Sequence, residues 1–556
     1  SKVENLKLIA GSNQDIQLKD VDFQNTNITA YQEWYKSGRT LNIAGSVSTN
    51  GSLVVDTEKF NVADNARLKS YGLKLSNGDS NGDNEVRIIR AGSHAKIISG
   101  NNEAFTYKPN HTDIIIENSP DLTEDFPYSI NYDFLNALEG FSKYEVEVIF
   151  PYGESRLLMH EGEINKSITF KGDTIELGEG SIQMQGKGTL NLIAKDAIEL
   201  GGVQLNMGEG NLNMMAKNLN VYGNSQVSGT GNLYLNTADT SGIQTIILGS
   251  TGGDDWDLYI KPEYFRSGGL FSNLTGRVYI GLLPDGTITK APINLTGSTN
   301  INNELYLATQ SDIRGDSGSL NTNGNNLYLI SDDIIDLSGT ALYNTPIKQA
   351  VAQDSVNLNN NKNELGPITN VSGPKGVEIY STGRIYTGRE SDSGITASNG
   401  CITIISDGSS VELGKYANFT ANKVFIFAQD RDKGAFKNYA DNPFSYGTKW
   451  GIATYDALKD DYGNLTGNFR QYGTIYKPDL EALMAKGNGS IHVNRPTVKI
   501  VSERVYGQDS QAWLTQNGTV NPNLQTYILN DQGEIDTSLT QKYLQADNKF
   551  LNKNNT

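Results

Sequence analysis

The chain holds one cysteine, Cys401, among 556 residues. No intramolecular disulfide can form, so a small disulfide-built architecture is excluded. Histidine is almost as scarce: His94, His111, His160 and His492 are the full set. No run of about 18 apolar residues occurs, which excludes a helical membrane span in this stretch. Positive charge is short as well, with 46 Lys and Arg against 63 Asp and Glu and a formal net charge of −17. Such a surface repels phosphates, so nucleic acid and anionic membranes are poor partners. There is no initial Met and no signal peptide. The chain is therefore expected to be a piece of a longer precursor.

Glycine is plentiful, with 58 residues. From Lys166 to Gly242 the sequence repeats itself as KSITFKGDTIELGEG, GTLNLIAKDAIELGG, GNLNMMAKNLNVYGN and GNLYLNTADTSG. The first apolar residues of these blocks are Ile168, Leu190, Leu212 and Leu233, spaced 22, 22 and 21 apart. Within a block apolar and polar residues alternate, which puts one set of side chains on one face of a strand. A fixed period of this size, with strands and turn residues in each unit, marks a solenoid. Leucine-rich repeats share the length but need a helix-like return, and here the returns are strand-like. The expected fold is all-β: a right-handed parallel β-helix with about 22 residues per rung. One coil cannot hide its Leu, Ile and Val alone; stacked coils about 4.8 Å apart can. Gly178, Gly180, Gly186, Gly188, Gly201, Gly202 and Gly210 would serve the corners.

In chain order, residues 1–100 read as rungs, beginning with Asn5-Leu6-Lys7-Leu8-Ile9-Ala10. Residues 101–165 lose glycine and gain rings, and are expected to leave the tube as an aromatic-rich loop, with a short helix between Tyr132 and Tyr144. Residues 166–430 return to rungs, with a hairpin insertion near 251–300 signalled by Pro284-Asp285-Gly286. The interval of 22 recurs from Leu305 to Leu327 and from Ile402 to Val424. Residues 431–490 form a second aromatic-rich excursion, and 491–556 supply the last strands and a cap.

The ring-dense stretches are the leading site candidates. Sugars present flat C–H faces that stack on rings, and hydroxyls that suit amide neighbours; Tyr and Trp also offer rigid area with a polar tip. Tyr439, Phe444, Tyr446, Trp450, Tyr455, Tyr462 and Tyr472 form one candidate platform, and Phe126, Tyr128 and Tyr132 another. Burial in a local core is the commoner fate of any single ring. Asp79, Asn81 and Asp83 space oxygen ligands like the start of a calcium loop, but Ile88 and Arg90 stand where further ligands belong. A polar turn is the plainer expectation there, so no cofactor is expected and calcium is the one candidate ion. Polygalacturonase-like enzymes carry a Gly-His-Gly; no histidine here is flanked by glycine on both sides. Asp332-Asp333 supplies a carboxylate pair of the kind glycoside cleavage needs, yet a solvated turn is the simpler account. Cys401 begins a strand and reads as packing.

A Gly- and Asn-rich β-helix of 60.6 kDa, carrying rungs such as GTLNLIAKDAIELGG and the stretch FKNYADNPFSYGTKWGIATY, resembles the binding domain of the tapirins, surface adhesins of thermophilic cellulose-degrading anaerobes. The resemblance lies in architecture and size. It implies a non-enzymatic, extracellular, cell-surface protein that binds crystalline cellulose through a hydrophobic face of the β-helix, as a monomer and without membrane insertion. A β-helix polysaccharide lyase or hydrolase, and a phage tailspike or haemagglutinin-like adhesin, are the alternatives.

Overall fold

A strand with alternating apolar residues has one side to hide, and a parallel copy above it hides the next. The computed structural model describes residues 3–10, 14–32, 39–76, 85–111, 113–118, 128–150, 153–253, 256–360, 365–381, 385–387, 394–408, 410–413, 419–430, 453–459, 465–471, 474–475, 491–493, 498–503 and 524–528. The fold is a parallel β-solenoid of about 16 turns, with about 22 residues per turn. Among the described residues no helix is long and apolar enough to cross a membrane.

Most turns carry three strands, called here faces A, B and C in order of travel. Thr189–Gly201 shows the plan: its first half lies on face A, it bends at the exposed Lys195 and Asp196, and its second half lies on face B. Val203–Asn206 follows on face C, and Asn211–Met215 opens the next turn directly above. The register is that of the sequence repeat, with Ile168 paired to Leu190, Leu190 to Leu212 and Leu212 to Leu233. Leu305 pairs with Leu327, and Ile402 with Val424. Leu190, Leu192, Ile198, Leu200 and Leu205 point inward and are buried. One continuous apolar cluster runs from Leu18 to Ala421, as stacking requires.

The expectation that residues 101–165 leave the tube is corrected. Ala104–Tyr107 pairs in parallel with Lys143–Glu147, which pairs with Ile168–Leu177, so face A runs through this segment without a break. The rings fill the interior of the tube. Phe105, Tyr107 and Phe134 are fully buried. Phe134 lies 5.9 Å from Phe60 and 5.8 Å from Phe105, edge-on or tilted as aromatic pairs prefer. A six-residue helix, Tyr132–Ala137, is shorter than its expected span, with the Asn131 side chain accepting from Phe134 N as N-cap.

Face B holds a second departure. Tyr128–Ile130 sits between Ile88–Ala91 and Asp113–Ile116, although it follows both in the chain. Asp113–Ile116 then pairs with Arg156–Met159. The chain thus lays one strand ahead and returns to fill the rung behind it. The same arrangement recurs later. Leu258–Ile260 pairs with the earlier Ile246–Leu248, which pairs with Ile293–Leu295 on its other side. Leu258–Ile260 also packs against Asn218–Tyr222. A short helix follows the backfilled strand both times, Tyr132–Ala137 and Pro262–Tyr264.

At Pro284-Asp285-Gly286 the chain does form a tight hairpin. Leu282 and Ile288 are bridged antiparallel, Gly286 has φ +88°, and Thr287 N donates to Asp285 Oδ1 at 2.9 Å. Beyond residue 430, Ala453–Lys459 and Leu465–Gln471 pair antiparallel and join no face of the solenoid. Ile491–Val493 and Val498–Glu503 return to pair with Phe419–Asp430.

Candidate functional site

The sequence-derived platforms fare differently. Tyr128 and Tyr132 are 2% and 1% exposed, so neither offers a face to a ligand. Tyr128 donates to Glu85 Oε2 at 2.5 Å, and Tyr132 donates to the His160 carbonyl at 2.7 Å. Both are interior rings whose hydroxyls are taken up by protein acceptors. Phe126, Tyr439, Phe444, Tyr446, Trp450, Tyr462 and Tyr472 lie outside the described residues. Tyr455 lies in the strand Ala453–Lys459. Asp79, Asn81 and Asp83 also lie outside the described residues. Glu85, which ends that stretch, is turned to structural use: its Oε1 accepts Asn110 N at 2.9 Å while Oε2 takes Tyr128. Among the described residues no group of three or more His, Cys, Asp or Glu could hold a metal ion.

Face A carries a feature that the sequence reading passed over. Tyr234, Tyr279, Tyr306 and Tyr328 occupy the same outward position on four successive rungs. Their rings stack, with centroids 4.7, 4.6 and 4.1 Å apart and planes within 8°, 29° and 2°. Tyr279 is the most enclosed, at 9% exposure, and the other three are half-buried. Amides continue the column at both ends, with Asn213 and Asn191 below and Gln349 above. Asn213 Nδ2 donates to Asn191 Oδ1 at 3.0 Å. The signal was present in sequence: each tyrosine is the middle of an apolar-Tyr-apolar triplet, Leu233-Tyr234-Leu235, Val278-Tyr279-Ile280, Leu305-Tyr306-Leu307 and Leu327-Tyr328-Leu329.

A second column runs beside the first. Two residues before each tyrosine, on the same side of its strand, stand Asn232, Arg277, Glu304 and Asn326. Arg277 Nε meets Glu304 Oε1 at 2.7 Å, Tyr306 donates to the same oxygen at 3.1 Å, and Asn326 Nδ2 reaches Glu304 Oε2 at 3.4 Å. Arg277 also hydrogen-bonds Tyr279, which together with Glu304 raises its pKa. Desolvation, then the hydrogen bonds to Tyr328 and Glu304, push the Tyr306 hydroxyl well up. The Tyr306 phenol therefore stays a neutral donor at physiological pH.

Each aromatic pair is worth about 0.5–1.5 kcal/mol beyond its area. Tyr279 makes two, so Tyr279→Ala should lower folding stability by about 1–3 kcal/mol, read as a fall in the denaturant midpoint. Tyr279→Phe keeps both stacks and should leave the midpoint nearly unchanged.

Two further surfaces stand out. Ile243 and Trp256 are 84% and 73% exposed. They are held rather than loose: Thr245 N donates to Asp257 Oδ1 at 2.9 Å, and the Lys217 ammonium lies 5.4 Å above the Trp256 ring. The Asp239 carboxylate accepts the Ser241 hydroxyl and the N–H groups of Gln244, Ser241 and Ile243, which hold its pKa down to about 2. The other surface is a cleft of about 820 Å³ at the corner between faces B and C. Glu117, Asp133, Glu161, Glu163 and Glu179 line it, with His160. Burial, then the nearby Asp64 and Glu163 carboxylates, raise the pKa of Asp133. Asp332-Asp333 lies in a turn between strands. Asp333 has the Asp312 and Asp354 carboxylates nearby, and its pKa is raised by desolvation, then by Asp312. No protein-family model matches the chain, and none of the curated proteins or solved structures compared with it matches either.

Proposed function

We propose that the chain is a non-catalytic adhesive rod, displayed outside the cell, that binds insoluble plant polysaccharide, with cellulose the first candidate. The observation that supports this most is the tyrosine column of face A. It is a straight, rigid, partly exposed strip of phenols, extended by amides and set on a scaffold that repeats about every 4.8 Å. Cellulose is likewise linear, repetitive and uncharged. A solenoid presents many weak contacts in one line, and affinity then accumulates along the chain without any deep pocket.

The test is a pull-down on microcrystalline cellulose, with xylan and chitin alongside. The protein should sediment with at least one of them. Because few charges are involved, the bound fraction should change little between low and high salt. Protein that stays in the supernatant at every salt concentration would defeat the reading. Loss of binding in a Tyr446→Ala, Trp450→Ala, Tyr455→Ala triple variant, with binding intact in face A variants, would move the site to residues 431–490.

The acidic cleft favours a second reading, glycan cleavage. A carboxyl with a raised pKa, such as Asp133, beside other carboxyl groups is the kind of pairing that glycoside hydrolysis uses. It requires reducing ends to appear during incubation with polysaccharide, and Asp133→Asn to abolish them.

A further inference from the structure

The stacking geometry of face A restricts what kind of sugar contact it can make. Rings 4.1–4.7 Å apart and nearly parallel cover one another's faces. Tyr279 and Tyr306 have a ring on both sides, so a sugar cannot lie flat on either of them. What remains outward is the ring edge and the hydroxyl, more open at Tyr306 than at Tyr279. The neighbouring column adds Asn232, Arg277, Glu304 and Asn326, a row of amides and one ion pair whose charges cancel. This is a strip of hydrogen-bond donors and acceptors two side chains wide, not an apolar plate.

We infer that this strip takes a single extended, uncharged glycan chain lying parallel to the solenoid axis, and that it reads the chain through hydroxyl groups instead of stacking on sugar faces. The inference rests on the polysaccharide reading above and names the ligand form and the contact set. Three properties carry it. The rung repeat presents one polar set about every 4.8 Å, close to the advance of one pyranose in an extended chain. The Arg277–Glu304 pair places a fork of N–H donors beside a carboxylate acceptor, which suits two adjacent hydroxyls of one sugar. Tyr279 and Tyr306, at the centre of the column, are bonded to that pair, so a sugar there meets phenol, guanidinium and carboxylate together. An anionic glycan gains nothing from a strip without net charge, and the acidic surface as a whole repels it.

The test titrates soluble cello- and xylo-oligosaccharides of increasing length by calorimetry, beside the pull-down on solid polysaccharide. Wild type should bind a soluble oligosaccharide, more tightly as the chain lengthens to span the column. A Tyr279→Phe, Tyr306→Phe double variant keeps every stack and loses the hydroxyls. It should weaken oligosaccharide binding about tenfold or more, the size of one or two lost hydrogen bonds, while the solenoid stays folded with a midpoint lowered by no more than its two lost internal hydrogen bonds explain. Glu304→Gln, which breaks the ion pair, should weaken it as well. If the double variant binds as wild type does, hydroxyl recognition is wrong. If wild type holds to the solid but to no soluble chain, the single-chain form is wrong while polysaccharide binding stands. If wild type binds neither, the proposed function fails with it.

Discussion

Replacing Gly231 with alanine should cost about 3 kcal/mol or more and break the rod into separately unfolding halves. Gly231 sits at the corner from face C to face A, where Gly188, Gly210 and Gly276 occupy the same place on neighbouring turns. A Cβ on Gly231 would lie 1.9 Å from the Gly210 carbonyl oxygen, and one on Gly276 would lie 1.9 Å from the Gly231 oxygen. The obstacle is backbone, so no side chain can rotate away. Nor can the corner drift, because Thr230 N is bonded to Gly208 O at 2.7 Å and Leu233 N to Arg277 O at 2.9 Å. Inserting a methyl into a packed interior usually costs 1–3 kcal/mol, and a clash with fixed backbone belongs at or above the top of that range. Stability in a stacked array is a sum of turn and interface contributions. A weakened interface should therefore split the denaturation curve into two transitions. Gly201→Ala is the control: its Cβ would meet only the Leu177 carbonyl, at 3.6 Å, and it should unfold close to wild type. A Gly231→Ala protein with the wild-type midpoint would show that the corner has slack that the geometry denies.

The repeat was legible because the period of the chain and the period of the stack are the same quantity. Ile168, Leu190, Leu212 and Leu233 align in sequence by interval and in space by register. The hairpin at Asp285-Gly286 was legible because a left-handed φ writes its own residue type. Ring density was legible too, but it reports apolar volume and not the side on which that volume lies. Tyr128 and Phe134 fill the interior, although the same composition would suit an exposed platform. Strand order was not legible either. Nothing local in Tyr128–Ile130 says that it backfills behind Asp113–Ile116, since that pairing is set by which rung is left empty. The second backfill also hid the tyrosine column. It places 45 residues between Tyr234 and Tyr279, where the regular interval would place 22, and so conceals that the two rings are neighbours.

Substituting Glu85 by alanine should detach the first backfilled strand. Glu85 is 3% exposed and holds two donors, the Tyr128 hydroxyl at 2.5 Å and Asn110 N at 2.9 Å. Tyr128 opens the strand Tyr128–Ile130, and its ring lies 4.3 Å from His111. Alanine leaves both donors buried without an acceptor, at about 1–3 kcal/mol each. It also leaves a void beside Tyr107, whose hydroxyl donates to the Val86 carbonyl. The expected total is a loss of about 2–6 kcal/mol, with amide exchange accelerating first at residues 128–130. Glutamine should behave otherwise. Its oxygen can serve Asn110 N, and its amide can donate to the Tyr128 oxygen once that hydroxyl turns. Burial raises the Glu85 pKa, against the hydrogen bonds from Tyr128 and Asn110 and the charge of Arg87. Between the unfolded value and this raised one the folded chain holds the extra proton. The contribution of Glu85 to stability therefore falls as pH rises through that window, and its cost is fully present at neutral pH. Glu85→Gln removes the buried charge, so it should match or exceed wild-type stability at pH 7, and its advantage should vanish toward pH 4. An alanine variant as stable as wild type, with residues 128–130 equally protected, would mean that the backfilled strand is held by its ladder and its rings alone.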